Sequence, residues 1–146
     1  MGCTKNSIII QSEIDKVFNI TNDIERWPLL FDESQSTRIL SRNGKEVTFE
    51  MTNKKGQTWC SKRIIDKENY RAIAQRGEPT FPYKFMNIEW LYEKVSNGTK
   101  MICIQEFEMA PEAGVTDGEM EAKINNHVVT NLQKIKAKIE SGVLTD

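Results

Sequence analysis

The chain has 146 residues, of which 38% are hydrophobic and 28% are charged, an ordinary composition for one globular domain with a substantial core. Its 20 basic and 21 acidic side chains give a net charge of −1, so the sequence lacks the basic excess of a general nucleic-acid binder or of a protein that binds acidic membranes. We therefore predict a single domain over residues 1–146 that binds no nucleic acid and no membrane.

The N-terminal segment and the cysteines indicate a cytoplasmic protein with reduced thiols. Residues 1–12 contain no apolar run long enough for a signal peptide or a membrane span. Cys3, Cys60 and Cys103 form no Cys-x-x-Cys pair and are odd in number, which favours free thiols over a disulfide framework or a zinc site. The single histidine, His127, has no cluster of potential metal ligands near it in the sequence. We expect neither a metal nor a cofactor.

In chain order, the first predicted elements are one strand and two short helices. The segment "NSIIIQS" is a short β-branched run, and residues 12–27 then place apolar side chains at roughly helical intervals. Ser12 is a candidate N-cap, and Pro28 is expected to end or kink the helix that precedes it.

Six β-strands are predicted next. Asn43-Gly44 and Asn97-Gly98 each lie between two alternating runs, and Asn-Gly is favoured in tight type I′ hairpins. Lys55-Gly56 and the segment "DKEN" supply two further turns. The strands are predicted over residues 34–42, 46–53, 57–66, 69–77, 84–95 and 99–109. Since the connections are short, the sheet is expected to be an antiparallel meander.

A long helix is predicted from about Asp117 to Ser141. Thr116 or Asp117 can cap its start, and Gly142 its end. Its apolar residues recur at spacings of three or four: Met120, Ile124, Val128, Leu132, Ile135 and Ile139. This apolar stripe must be buried against another element, and the concave side of a curved sheet is the available surface. The predicted fold class is α+β, a helix-grip arrangement in which an antiparallel sheet curves around the C-terminal helix.

The last two strands each have a side suited to face the helix. The strand from Phe85 places these residues on one side: Met86, Ile88, Trp90 and Tyr92. The strand from Thr99 is more mixed, and we choose the side without glutamates: Met101, Cys103, Gln105, Phe107 and Met109.

The strand over 57–66 has an unusual inner side. If Trp59 and Ile65 face the helix, the two-residue period brings Gln57, Ser61 and Arg63 with them. Polar groups buried without partners cost about 1 to 3 kcal/mol each, and an isolated guanidinium costs more. These side chains therefore require a ligand, water or carboxylates.

Small residues on the next strand indicate an interior cavity. Ala72 and Ala74 stand where a filled core would usually have larger side chains. Ligand pockets are mostly apolar with a few placed polar groups, and the following residues fit that description: Trp27, Phe31, Trp59, Met86, Trp90, Ser61, Arg63 and Arg76. The alternative is that Arg63 and Arg76 pair with carboxylates such as Glu33 or Glu106 and only hold the fold together.

Several strings in the chain resemble one enzyme family. They are "NSIII", "VFNITNDIERWPLLF", "FMNIEW", "NGTKM" and "QEFEM", together with the Trp59 to Arg63 pattern W-C-S-K-R. In their order and spacing they are similar to the aromatase/cyclases of bacterial aromatic polyketide synthesis, in particular the tetracenomycin-type single-domain members. The wider START-like or Bet v 1-like superfamily also contains lipid, hormone and quinone carriers, so the fold alone does not settle the function.

The resemblance implies a pocket that holds a linear poly-β-ketone, delivered on an acyl carrier protein through phosphopantetheine. The implied reaction is a regiospecific intramolecular aldol condensation followed by dehydration to an aromatic ring, so an aromatic polyketide intermediate is also an expected partner. Carried over by position, Arg63 matches the catalytic arginine and Ser61 its neighbouring hydroxyl. The positions matching the pocket lining are Trp27, Phe31, Trp59, Arg76, Tyr83, Met86 and Trp90.

Three positions depart from the family pattern. Ser34 stands where the tetracenomycin-type members have a tyrosine, Gln57 replaces one of two strand tryptophans, and Cys103 replaces another tryptophan. We count all three among the substrate-binding positions. The resemblance therefore implies a less aromatic pocket in this chain.

The residue types constrain the roles. Arg63 stays protonated, so we assign it carbonyl polarisation, with Ser61 relaying a proton through water. Glu33 is a candidate base, with an exposed structural role as its alternative. His127 lies on the edge of the helical stripe, where a satisfied or exposed histidine is the favoured interpretation and a catalyst is the alternative. Two other functions compete with the cyclase: a non-enzymatic carrier of a quinone or polycyclic lipid, and an interaction module, for which no basic or exposed apolar patch is evident.

Overall fold

A computed structural model describes residues 1–144 of the chain; the last two residues of the domain predicted over 1–146 lie outside the described residues. The strands are β1 (Gly2–Ile10), β2 (Ser34–Asn43), β3 (Glu46–Asn53), β4 (Thr58–Asp66), β5 (Arg71–Arg76), β6 (Tyr83–Val95) and β7 (Gly98–Met109). The α-helices are α1 (Ile14–Thr21), α2 (Trp27–Leu30) and α3 (Asp117–Glu140), and short 3₁₀ turns occupy Ile24–Arg26 and Pro111–Ala113.

The strands form one antiparallel sheet in the order β1-β7-β6-β5-β4-β3-β2. Every neighbouring pair from β2 to β7 is consecutive in sequence, and β1 joins at the β7 edge. The helix α3 covers one face of this sheet with a buried stripe formed by Ile124, Val128, Leu132, Ile135 and Ile139. The predicted α+β helix-grip architecture is therefore confirmed.

The turn and cap chemistry of the sequence explains one hairpin turn and both ends of α3. Gly44 follows Asn43 in the β2–β3 turn with a φ of 62°, in the left-handed region that glycine adopts without a Cβ clash. The helix α3 begins with a capping box, in which Thr116 Oγ1 accepts a hydrogen bond from the Glu119 amide (3.1 Å) and Glu119 Oε1 accepts one from the Thr116 amide (3.1 Å). Gly142, with a φ of 79°, follows its last residues as predicted.

Of two predictions near the N-terminus, the one for Ser12 was wrong. Ser12 is not an N-cap, because Glu13 holds that position without a side-chain cap, whereas the Ser12 amide donates to the Ile10 carbonyl (2.8 Å) and the Ser12 carbonyl accepts from Thr99 Oγ1 (2.8 Å). The 3₁₀ turn Ile24–Arg26 ends just before Pro28, in agreement with the prediction, and Pro28 itself lies in the first turn of the four-residue helix α2, where its missing N–H leaves no hydrogen bond unmade.

Several strand boundaries differ from the prediction by one residue, and those of β1 and β5 differ by more. The strand β1 is longer than the β-branched run, since it pairs with β7 from Gly2 onward. The strand β5 begins at Arg71 rather than residue 69, because Tyr70 adopts a φ of 49° that breaks the extended backbone.

Hydrogen bonds join one edge of α3 to β1. Glu121 Oε2 accepts from the Cys3 amide (2.9 Å), the Asn6 side chain donates to Asn125 Oδ1 (3.0 Å), and Lys136 Nζ donates to the Ile9 carbonyl (2.7 Å). At the far end of the sheet, strands β3 to β5 reach α3 only across a gap lined by side chains from both. This asymmetric attachment leaves the space in which the candidate site lies.

The three cysteines are free thiols. No helix within residues 1–144 is long and apolar enough to span a membrane. Over the same residues, no group of three or more His, Cys, Asp or Glu side chains is arranged to hold a metal ion.

Candidate active site

The gap between the concave face of the sheet and α3 is a cavity of about 300 Å³. This volume is at the lower end of the range of roughly 300 to 1,000 Å³ that is usual for small-molecule sites. Its lining is mainly aromatic and aliphatic, with polar groups from Glu33, Ser61, Arg63, Arg76 and Asn131 among them. Such a lining suits a flat or chain-like organic molecule that carries a few polar atoms.

Most of the predicted site residues meet in this cavity. Those that line it are Trp27, Phe31, Trp59, Ser61, Arg63, Arg76, Tyr83, Met86, Trp90 and Cys103. Of the two small residues on β5, Ala74 lines the cavity, whereas Ala72 is fully buried in packing outside it. The prediction that both alanines border open space was therefore wrong for Ala72.

Ser34 and Gln57 lie outside the cavity. Gln57 belongs to the β3–β4 turn, where its side-chain oxygen accepts from Asn53 Nδ2 (2.8 Å), and Ser34 is buried at the start of β2. Both residues border a surface depression of about 410 Å³, which we call the vestibule. The vestibule shares four lining residues with the cavity, namely Glu33, Met51, Trp59 and His127, so it forms the outer part of the same opening.

Arg63 is the most deeply placed cation of the site. Its side chain is almost fully buried, its Nε donates to Asn22 Oδ1 (2.9 Å), and its guanidinium lies 5.1 Å from the ring centroid of Trp27. No carboxylate within residues 1–144 forms an ion pair with it. The alternative in which Arg63 completes a buried ion pair with Glu33 or Glu106 is therefore not what the structure shows.

The groups around Arg63 leave its charge unneutralised. Burial lowers the pKa of Arg63 overall, and the neighbouring Tyr92 and Cys103 oppose this shift only in part. Burial also raises the pKa of Tyr92, and it raises the pKa of the Cys103 thiol to about 12, so both groups are neutral near pH 7. Since guanidinium does not lose its proton in proteins, Arg63 presents a full positive charge in a nearly apolar wall.

A hydrogen-bonded network behind Arg63 fixes its orientation. The Tyr92 hydroxyl lies 2.6 Å from Thr21 Oγ1, and Asn22 Nδ2 donates to the Phe18 carbonyl (2.9 Å) and toward the Tyr92 hydroxyl (3.3 Å). These hydrogen bonds aim Asn22 Oδ1 at the guanidinium. The period of β6 placed Tyr92 on the inner side, whereas nothing in the sequence indicated Asn22, since it follows a helix and meets Arg63 only through the tertiary fold.

Ser61 and Arg76 face each other across β4 and β5, where they are register partners. Ser61 is buried on the cavity wall. The Arg76 guanidinium lies 4.5 Å from the ring centroid of Trp59 and 5.5 Å from that of Tyr83, and it donates to the carbonyls of Pro79 and Phe81 (3.3 Å each). Arg76 is thus held between two aromatic rings at the wall, again without a carboxylate partner in the described chain.

A polar cluster on the α3 side of the opening joins Glu33, His127 and Asn131. Asn131 Nδ2 donates to Glu33 Oε1 (2.9 Å) and lies 3.2 Å from His127 Nε2, which is 3.4 Å from the same carboxylate oxygen. Burial alone would raise the pKa of Glu33, but the hydrogen bonds from His127 and Asn131 lower it overall. The contact with Glu33 raises the pKa of His127. The sequence placed His127 beside the apolar stripe, but only the fold brings Glu33 to it.

Comparison with known proteins shows the family of the chain. Residues 10–134 match the family described as "Polyketide cyclase / dehydrase and lipid transport". A protein of Streptomyces cyaneus named "Putative polyketide cyclase" is 41% identical over 144 residues, which cover 95% of this chain and 94% of the relative.

Solved structures share the fold at low sequence identity. The Zhui aromatase/cyclase from Streptomyces sp. R1128 matches with a TM-score of 0.82 at 17% identity, covering 97% of this chain and 95% of that one. A START superfamily protein from Mycobacterium smegmatis matches with a TM-score of 0.78 at 11% identity, and the match covers 97% of this chain and 99% of that chain. The resemblance found in the sequence is confirmed, and the chain belongs to the polyketide cyclase / dehydrase and lipid transport family.

Proposed function

We propose that this member of the polyketide cyclase / dehydrase family is an aromatase/cyclase of bacterial aromatic polyketide synthesis. Its substrate is a poly-β-ketone tethered to an acyl carrier protein, which it converts by regiospecific intramolecular aldol cyclisation and dehydration. The observation that carries this proposal is the buried Arg63, which has no carboxylate partner within residues 1–144 and faces an aromatic cavity.

The aldol cyclisation requires a cavity that folds the substrate and a positive charge at a fixed position. A methylene between two ketones is already acidic, so the protein has chiefly to fold the chain and to stabilise the charge that develops on oxygen. Arg63 polarises the ketone under attack and stabilises the alkoxide that forms there. Because its surroundings are neutral, no resident anion competes with the substrate oxygen for it.

The other lining residues shape the substrate and move protons. Ser61, on the same face of β4 as Arg63, relays a proton through water to the reacting oxygen. The aromatic and sulfur-containing side chains hold the folded chain: Trp27, Phe31, Trp59, Tyr83, Met86, Trp90 and Cys103. Arg76 binds a second carbonyl near the opening.

The carrier protein docks at the opening, so that only its phosphopantetheine arm and the polyketide enter. Ser34 and Gln57, which border the vestibule, contact the part of the substrate nearest the arm. Since acyl carrier proteins of this kind act in the cytoplasm, we place the reaction there. The competing function, transport of a quinone or polycyclic lipid, would use the same cavity, but it does not require an unpaired guanidinium at its base.

A fluorescence titration tests whether the cavity binds aromatic polyketides in preference to fatty acids. Trp27, Trp59 and Trp90 all line the cavity and are the three tryptophans of the chain. A tricyclic aromatic polyketide should therefore change the emission in a saturable manner, because it contacts the indoles directly. A matched titration of N-acetyltryptophanamide controls for light absorbed by the ligand. If the tryptophan emission does not change with aromatic polyketides but changes with long-chain fatty acids, the lipid carrier is favoured.

A further inference from the structure

We propose that His127 carries the proton in the dehydration step and that Glu33 is its positioning residue. The inference rests on the proposed function, because it concerns the β-hydroxy ketone that the aldol closure produces. The neutral imidazole removes a proton from the carbon between the carbonyl and the carbinol, and the C–H electrons form an enolate. The carbon–oxygen bond then breaks as the imidazolium protonates the departing hydroxyl, which releases water, forms the carbon–carbon double bond and restores the neutral imidazole.

The titratable groups that line the cavity favour His127 as the proton carrier. A departing hydroxide is a poor leaving group, so the step needs a side chain that both accepts and returns a proton near neutral pH. The titratable lining residues within the described chain are Glu33, Arg63, Arg76, Tyr83, Cys103 and His127. The two arginines keep their protons. Only histidine ordinarily changes its charge between pH 5 and 8.

The remaining three groups are less suited to this exchange. The lowered pKa of Glu33 leaves it ionised, without a proton to give. Burial raises the pKa of Tyr83 and raises that of Cys103 to about 12, so both stay protonated and make weak acids. His127 is the group left for an exchange near neutral pH.

The surroundings of the imidazole leave one ring nitrogen available. His127 Nε2 lies 3.4 Å from Glu33 Oε1 and 3.2 Å from Asn131 Nδ2, and in the tautomer that carries its proton on Nε2 the lone pair lies on Nδ1. No hydrogen bond with residues 1–144 engages Nδ1. Asn131 donates to the same Glu33 oxygen and fixes the carboxylate. In that tautomer Nε2 faces the carboxylate and Nδ1 is open to accept a proton, which is what a proton carrier requires.

The position of His127 suits the release of water. It lies on α3 between Ile124 and Val128, which line the cavity, and it also borders the vestibule. Its side chain is 58% exposed, so the imidazole is in contact with solvent at the opening through which the water leaves. The same exposure allows the imidazole to exchange protons with solvent between turnovers.

The charged groups near His127 act in opposite directions. The contact with Glu33 raises the pKa of His127, and Lys134 on the same helix lowers it. Lys54 and Lys55 of the β3–β4 turn border the vestibule with His127. Since the first step uses neutral imidazole, the dehydration rate should rise with pH through the pKa of His127.

The first test is an NMR titration of the ring protons of His127, which is the single histidine of the chain. In the unmodified protein the pKa should lie above the ordinary value for histidine, and in Glu33→Gln it should fall. The pH at which the dehydration rate has its inflection should fall in Glu33→Gln by the same amount as the pKa of His127. A pKa that is equal in both proteins, or a pH profile that does not follow it, would overturn the role of Glu33.

The second test compares products. His127→Gln should still close the ring but dehydrate at least about a hundredfold more slowly, so the cyclised hydroxy ketone accumulates. Asn126→Ala, an exposed change on the same helix, is the matched control and should match the unmodified protein. His127→Asn serves as a second variant if the first folds poorly. Dehydrated product at the normal rate per folded molecule in either variant would refute the proposal, whereas failure of the unmodified protein to cyclise would refute the proposed function itself.

Discussion

Arg63→Ala is expected to remain folded and to lose cyclisation by about a hundredfold to a thousandfold, since a single oxyanion donor is worth roughly 3 to 4 kcal/mol in the transition state. The loss should appear in turnover more than in substrate affinity, because the charge that Arg63 stabilises develops during the reaction. Product formation per folded molecule, with the thermal midpoint measured on the same sample, checks this expectation.

Stability should change little, because no carboxylate of the described chain is left unpaired when the guanidinium is removed. The substitution removes the hydrogen bond to Asn22, worth about 1 kcal/mol, and the stacking of the guanidinium on Trp27. Removing a buried charge also relieves its desolvation cost. A large fall in the thermal midpoint together with unchanged product ratios per folded molecule would make Arg63 a structural residue.

Arg63→Lys is the companion variant. It keeps the positive charge but loses the planar set of donors, and its ammonium is more strongly hydrated. We expect partial activity and a larger share of spontaneously cyclised shunt products. Activity equal to that of Arg63→Ala would show that charge alone contributes nothing at this position.

Ala74→Phe should abolish substrate binding while leaving the protein folded. Ala74 lines the cavity and is the register partner of Arg63, so an added phenyl ring would occupy part of the roughly 300 Å³ beside the guanidinium. Stability should be preserved or increased, because the ring fills open space bordered by apolar side chains.

The matched control for Ala74→Phe is Gln75→Phe, which places the same ring on the exposed side of β5. Titration of an aromatic polyketide against the tryptophan fluorescence, followed by product analysis, should separate the two variants. Normal turnover in Ala74→Phe would mean that the reaction does not occur in this cavity.

Strand periodicity predicted one wall of the cavity. The two-residue period of β4 brings Trp59, Ser61 and Arg63 to one face, and the structure places all three on the cavity wall. That inference succeeded because the position of a side chain in a strand is set locally, and a sheet covered by a helix has one inner face. The two-residue period did not hold for Gln57, because β4 begins at Thr58 and the backbone before it forms a turn.

The supporting residues could not be found in this way. Asn22 follows α1 and Glu33 follows α2, both in short connections without a period, so their directions depend on how the helices pack on the sheet. Glu33 meets His127 across 94 positions of sequence through the placement of α3. Pairings of this kind result from tertiary contacts alone.

The most direct test of the account is to supply a poly-β-ketone on its acyl carrier protein and to analyse the products by mass spectrometry and NMR, with and without the protein. We predict one dominant aromatic product, lighter than the linear chain by the water lost in dehydration, with the mixture of shunt products correspondingly reduced. A product distribution identical to that of the protein-free reaction would contradict the claim that this cavity cyclises polyketides.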